Sequence, residues 1–246
     1  MRVTADGTEG GASRVPDSPF ADTVLERLTA AYRPAADPER AVAMRAYMKD
    51  VAPFLGLTAP VRRALSRTVT AGLPRPGEAD CAAVVLRCWQ LPEREYQYFA
   101  VDHLRRHVRH LSSGFLPVVR HLLTTVAWWD TVDLLAAHVV GPLVAADPAL
   151  TADMDDWIGD ADRWLVRAAL LHQLRYGERT DGARLFDYCL RRSGHPDFFV
   201  RKAIGWSLRE YARTDPDAVR AFVARERGRL APLSVREALK NTRGSG

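Results

Sequence analysis

The chain of 246 residues is poor in cysteine and lysine, and none of its apolar runs approaches the roughly eighteen residues of a membrane span. Its three cysteines, Cys81, Cys88 and Cys189, are odd in number, lack CxxC spacing and lie in apolar helical patterns. They therefore support neither a disulfide framework nor a thiolate zinc site, and read as reduced core residues. The opening stretch MRVTADGTEGGASRVPDSP lacks the apolar segment of a secretory signal, so the expected location is cytoplasmic. Without a glycine-rich phosphate loop, a nucleophile elbow or an HExxH, nucleotide hydrolysis, serine hydrolysis and zinc proteolysis have no motif to stand on. Runs of alternating polar and apolar residues are missing too, which argues against strands.

What the chain does have is an ordinary globular balance, 47% hydrophobic and 26% charged, enough to bury a full core in one large domain or two small ones. The net charge of +5 and a pI near 9.4 suit a polyanionic partner without proving one. Apart from Lys49, Lys202 and Lys240, every basic side chain is arginine, whose planar fork matches phosphate. A GC-rich genome would favour arginine over lysine for no physical reason, so the charge carries little weight by itself.

Residues 1–18, rich in Gly, Ser, Asp and Pro, read as a flexible tail, and 19–246 as a single domain. Helical periodicity then covers about 20–32, 38–51, 60–71, 78–90, 93–109, 114–125, 128–140, 149–158, 161–176, 181–192, 196–212, 215–227 and 233–241. Short breaks such as GLPRPG, VGPLVAADP and SGHPD separate these segments, with Asp, Thr or Pro at helix starts. The fold class expected is all-α, an α-solenoid or superhelix of HEAT-like antiparallel hairpins, with a globular helical bundle as the alternative.

Two phrases stand out. WWDTVD places Trp129 and Asp133 four residues apart, hence on one helix face, and Trp206 stands in FFVRKAIGWSLREYA. An acid on an aromatic stripe has to be paired, useful or both, because amphipathic helices keep carboxylates on the wet side. Taken singly, each tryptophan is more often packing than platform, and Trp89, Trp128, Trp157 and Trp164 are read as packing. His103, His107 and His110 share a face at spacings that raise the question of a metal, but Arg105, Arg106 and Arg109 crowd the same helix and would repel a cation. A solvated or phosphate-facing basic helix is the better reading. The basic residues Arg225, Arg227, Arg229, Arg236, Lys240 and Arg243 read as an ordinary solvated face.

Five phrases together resemble the DNA alkylation repair proteins of the AlkD type: AYMKDVAPFLGLTAPVRR (46–63), REYQYFAVDHL (94–104), WWDTVDLLAAHVVG (128–141), WLVRAALLHQL (164–174) and FFVRKAIGWSLREYARTDP (198–216). That resemblance implies a bacterial DNA glycosylase of HEAT-like repeats. Its catalytic aspartate falls on Asp133 and its two lesion-flanking tryptophans on Trp129 and Trp206. Arg167, Tyr47 and Thr58 fall on its DNA-facing positions; Thr58 stands where family members often carry a longer polar residue such as glutamine. The resemblance implies a partner, double-stranded DNA containing alkylated purines, and an activity, hydrolysis of the N-glycosidic bond by a monomer without metal or organic cofactor.

The residue types fit such chemistry. A purine alkylated at N3 or N7 is already a cationic leaving group, so the developing oxocarbenium-like sugar is what needs help, and a carboxylate with indole faces beside it stabilises positive charge. Other readings stay open on sequence alone. Asp133 and Arg167 could be a buried ion pair tying adjacent repeats. The protein could bind bent or branched DNA without chemistry, act as a protein-interaction scaffold, or protect its host against a bulky DNA-alkylating natural product.

Overall fold

A computed structural model describes residues 15–240, and among them every regular element is helical. The helices are α1 (Pro19–Tyr32), α2 (Pro38–Tyr47), α3 (Ala59–Thr70), α4 (Glu78–Gln90), α5 (Arg94–His107), α6 (Leu116–Thr124), α7 (Trp129–Leu135), α8 (Gly141–Ala146), α9 (Thr151–Trp157), α10 (Arg163–Leu171), α11 (Gly182–Arg191), α12 (Phe198–Tyr211), α13 (Pro216–Arg225) and α14 (Pro232–Ala238). Aspartates start many of them. The side chains of Asp37, Asp162, Asp181, Asp197 and Asp215 accept backbone N–H bonds in the first turns of α2, α10, α11, α12 and α13, and proline follows directly in α2 and α13. The all-α class expected from periodicity is the class observed.

The described residues divide into two compact units, 15–103 with 120–122, and 104–119 with 123 onward. In the first unit α1 packs on α3 and α4. Tyr32 is fully buried there, stacked on Tyr96 with ring centres 5.7 Å apart and bonded through its hydroxyl to Ser66 at 2.8 Å. The loop between α2 and α3 is held by a buried carboxylate: Glu95 accepts from the backbone N–H groups of Leu55, Gly56 and Leu57 at 2.9, 2.9 and 3.1 Å. Gly56 has φ +88°, and a Cβ there would lie 2.1 Å from the Asp37 carbonyl oxygen, so only glycine fits.

In the second unit α7, α10, α12 and α14 form a row, α10 packing on α7 and α12, and α12 on α14. This layered stacking of alternate helices is the arrangement of an α-solenoid. The α12–α14 crossing is close because Gly205 has no side chain; a Cβ would lie 2.4 Å from Glu237 Cβ and 2.7 Å from the Ser234 carbonyl oxygen.

Four features differ from the sequence reading. Residues 15–18 are ordered, and Ser18 is buried, its hydroxyl accepting from the Ala21 N–H at 3.0 Å and donating to Asp80 at 2.7 Å; the rest of the expected tail lies outside the described residues. The second helix stops at Tyr47, not near 51, because Lys49 and Asp50 turn into the left-handed region at φ 60° and 58°. The break expected over VGPLVAADP is confined to its end, Asp147–Pro148. From α7 the helix continues through a π-helical turn, Ala136–Val140, straight into α8. The wider turn accommodates Pro142, which would clash in a regular helix, while Gly141 allows contact with α10's end: a Cβ there would lie 2.3 Å from the His172 carbonyl oxygen. The resulting helix Trp129–Ala146 has 18 residues and is long and apolar enough to cross a membrane by length and composition, which the sequence reading missed because Asp130 and Asp133 interrupt it. Its apolar positions, such as Val132, Leu135, Val139 and Val140, are buried inside the protein.

Replacing Gly205 by alanine is expected to lower stability by about 1–3 kcal/mol, since the added methyl meets backbone at the α12–α14 crossing. Urea denaturation of G205A against wild type measures it.

Candidate active site

Val126, just before α7, has φ +48°, a costly conformation for a β-branched residue, and the chain then extends through Trp128 into the helix. Trp128 is packing. Its ring meets Trp164 and Phe199 edge-on at 5.7 and 5.0 Å, and those two rings lie 5.1 Å apart. Trp89, Trp157 and Trp164 are buried, and Trp128 is half-buried. Arg163 lies over Trp164 at 4.9 Å and pairs with Asp197 at 3.1 Å, so the start of α10 is tied to the cap of α12.

On this apolar base stands Arg167, only 3% exposed, in the middle of α10. Its Nε and Nη2 donate to the two carboxylate oxygens of Asp133 at 2.6 and 2.8 Å, a two-toothed pair. Nη1 donates to the carbonyl oxygen of Phe199 in the first turn of α12, and the guanidinium lies 5.9 Å from that residue's ring centre. One arginine therefore fixes α7, α10 and α12 against one another. Its guanidinium is turned inward, toward Asp133 and the Phe199 carbonyl oxygen.

Asp133 is not sealed, its side chain being 12% exposed. A carboxylate offers about four lone-pair directions, and Arg167 occupies one on each oxygen. Burial pushes the carboxyl above the ordinary aspartate range, opposed by the Arg167 guanidinium and reinforced by nearby Asp130. The group is thus a partly desolvated anion with acceptor capacity to spare.

Trp129 opens α7 one turn before Asp133, and Trp206 lies on α12 two turns after Phe199. Both are half-buried, and neither ring packs against another aromatic ring among the described residues, unlike Trp128 and Trp164. Phe198, at the start of α12, was not singled out by sequence reasoning. It is 54% exposed, edge-on to Phe199 at 5.4 Å, with the Lys202 ammonium 5.9 Å from its ring centre. Its signal was the unusual FF pair, half of which proves to be wet. Tyr47 and Thr58 belong to the first unit: Tyr47 ends α2 and is 73% exposed, and Thr58 is the half-exposed residue preceding α3, its side chain making no capping bond. His103 is buried against Phe99 and Phe20, at ring distances of 6.0 and 6.4 Å, and no group of three metal-ligating side chains occurs among the described residues.

A family profile for DNA alkylation repair enzymes matches residues 28–242. The chain belongs to the DNA alkylation repair enzyme family. A solved structure, that of a predicted DNA alkylation repair enzyme from Enterococcus faecalis, is 31% identical, with a TM-score of 0.77 over 85% of this chain and 98% of that one. No curated protein matches. Family membership covers α7, α10 and α12, the three helices that meet at Arg167.

Truncating Arg167 to alanine strands a buried carboxylate and leaves the Phe199 carbonyl without this donor, an expected loss of about 3–5 kcal/mol. Thermal and chemical unfolding of R167A read it; R167K, which keeps the charge but not the fork, is expected to recover only part.

Proposed function

We propose that this family member is a DNA glycosylase that removes alkylated, cationic purines, such as 3-methyladenine, 7-methylguanine or bulkier N3 and N7 adducts, from double-stranded DNA. The observation that carries the reading is Asp133: a partly buried acid, gripped on one side by Arg167, with acceptor capacity left and a small opening to solvent. Asp133 is the catalytic group, and Arg167 is a positioning residue that acts through it. Trp129 and Trp206 supply indole faces for a cationic nucleotide, with Phe198 a further exposed ring on the same helix as Trp206. Tyr47 and Thr58 are assigned to DNA contact, and the HEAT-like repeat grouping belongs to the same proposal.

In this reaction the bond between the sugar C1′ and the purine nitrogen breaks, and its electron pair leaves with the base, neutralising the base's charge. The sugar becomes oxocarbenium-like, and the carboxylate of Asp133 stabilises it at close range in a site of reduced dielectric. Water then adds to C1′ and gives its proton to Asp133 or to solvent, leaving an abasic site. Neither step needs a metal or an organic cofactor, because the leaving group is already activated and the nucleophile is water. A second reading, in which Asp133 and Arg167 form only a structural tie, is favoured by the two-toothed geometry.

The two readings separate on Asp133→Asn. A glycosylase should lose about 100-fold or more in base release from a 7-methylguanine or 3-methyladenine duplex while duplex binding persists; unchanged release leaves the structural tie. The pH profile is a further check. Only the ionised carboxylate stabilises a cation, so release should fall as pH drops through the Asp133 pKa. Burial raises that pKa, so the acid limb should lie above the ordinary aspartate range, and D133N should lack it.

A further inference from the structure

A second concavity in the 104–119 and 123 onward unit lies apart from Asp133. Its lining includes Arg105, Arg109, His138, Arg175, Tyr176 and Arg179, over a floor of small apolar residues from 137–146. Four arginines converge on it and no carboxylate lines it; Glu178 adjoins Arg179 in the chain without lining the cleft. Arg213 pairs with Glu210, Arg220 with Asp217 and Arg225 with Glu226, whereas Arg109, Arg175 and Arg179 line a wall without a carboxylate.

The cleft is also built. The hydroxyl of Tyr176 donates to the Gly141 carbonyl oxygen at 2.8 Å, fixing the ring, and Arg179 stacks on that ring at 5.6 Å. Arg179 is thereby held in a planar, pre-oriented state at no cost in acceptors, leaving its N–H fork to a ligand. A concave wall of one charge concentrates field and selects a polyanion.

We propose that this cleft is a phosphate-binding site separate from the Asp133 site. It takes the phosphodiester backbone of duplex DNA or a free phosphate, and of the two the backbone is favoured. That preference rests on the glycosylase reading; the phosphate chemistry does not. The helix that carries Asp133 also forms the cleft floor, and Pro142 lies nine residues further on. That is about 14 Å along the axis, or roughly four base-pair steps of duplex, which suits a grip on backbone flanking a lesion.

The test is the triple variant R109Q/R175Q/R179Q, all exposed positions outside the Asp133 site. Affinity for undamaged duplex is measured across a salt series and for inorganic phosphate by calorimetry. The expected result is a loss of duplex affinity of about 10-fold or more and a flattening of the log affinity against log salt slope by about two to three. A control triple, R213Q/R220Q/R225Q, removes the same charge and should change duplex affinity less than twofold. Loss of phosphate binding with duplex binding intact keeps the site and assigns it to free phosphate. An equal drop in the control, or no change with either probe, overturns it. Undamaged duplex needs no chemistry, so a wild type that binds through the cleft yet releases no base would sink the glycosylase reading and leave this one standing.

Discussion

The second unit depends on one buried ion pair. Arg167 reaches the carboxylate of α7 with two donors and the backbone of α12 with a third, while Trp128, Trp164 and Phe199 form the apolar base beside it. Desolvating such a charge is tolerable only when its donors are matched, and here the matching is divided among three helices. The geometry of the acid is therefore not a local property of WWDTVD. It is set by the whole α7–α10–α12 row and moves only if that row moves.

Comparison with the protein's other buried acids shows what distinguishes Asp133. Glu95 is fully buried and accepts three backbone N–H bonds, its capacity spent on holding a loop. Glu237, on α14, is likewise surrounded by Lys202, Arg209 and Lys240. Glu95 is thus spent on backbone donors, and Glu237 is neutralised by those cations. Asp133 differs from Glu237 in balance: one arginine faces it, its side chain keeps 12% exposure against 4%, and burial raises its pKa, whereas the Lys240 hydrogen bond and the neighbouring cations lower that of Glu237.

Much of this was legible in the sequence, and for identifiable reasons. Helix 78–90 emerges at its expected limits because glycine precedes it and the apolar period inside is strong. The capping aspartates gave most other helix starts to within two or three residues. The interest of Asp133 was readable too, since a carboxylate four residues from a tryptophan on an apolar face needs an explanation. What could not be read was direction. Arg167 looked equally suited to phosphate or to Asp133, because only tertiary packing decides which way a long side chain turns. Phe198 and Phe199 are chemically identical neighbours, and one is exposed while the other packs on Trp128 and Trp164. The Gly141–Pro142 pair signals a break in an isolated helix, and no local signal predicts the wider turn that absorbs it.

That wider turn, Ala136–Val140, has a consequence for how this family can diverge. A π turn amounts to one residue inserted into a helix, so every side chain beyond it is rotated by about 100° relative to an uninterrupted α-helix. The acid lies before the insertion, while Pro142, Ala145 and Ala146 of the basic concavity's floor lie after it. A homologue lacking that single residue would keep its carboxylate in place yet swing the far half of the same helix toward a different neighbour. A one-codon length change at this position is thus a route by which descendants could reshape one end of the helix without displacing the Asp133–Arg167 pair at the other.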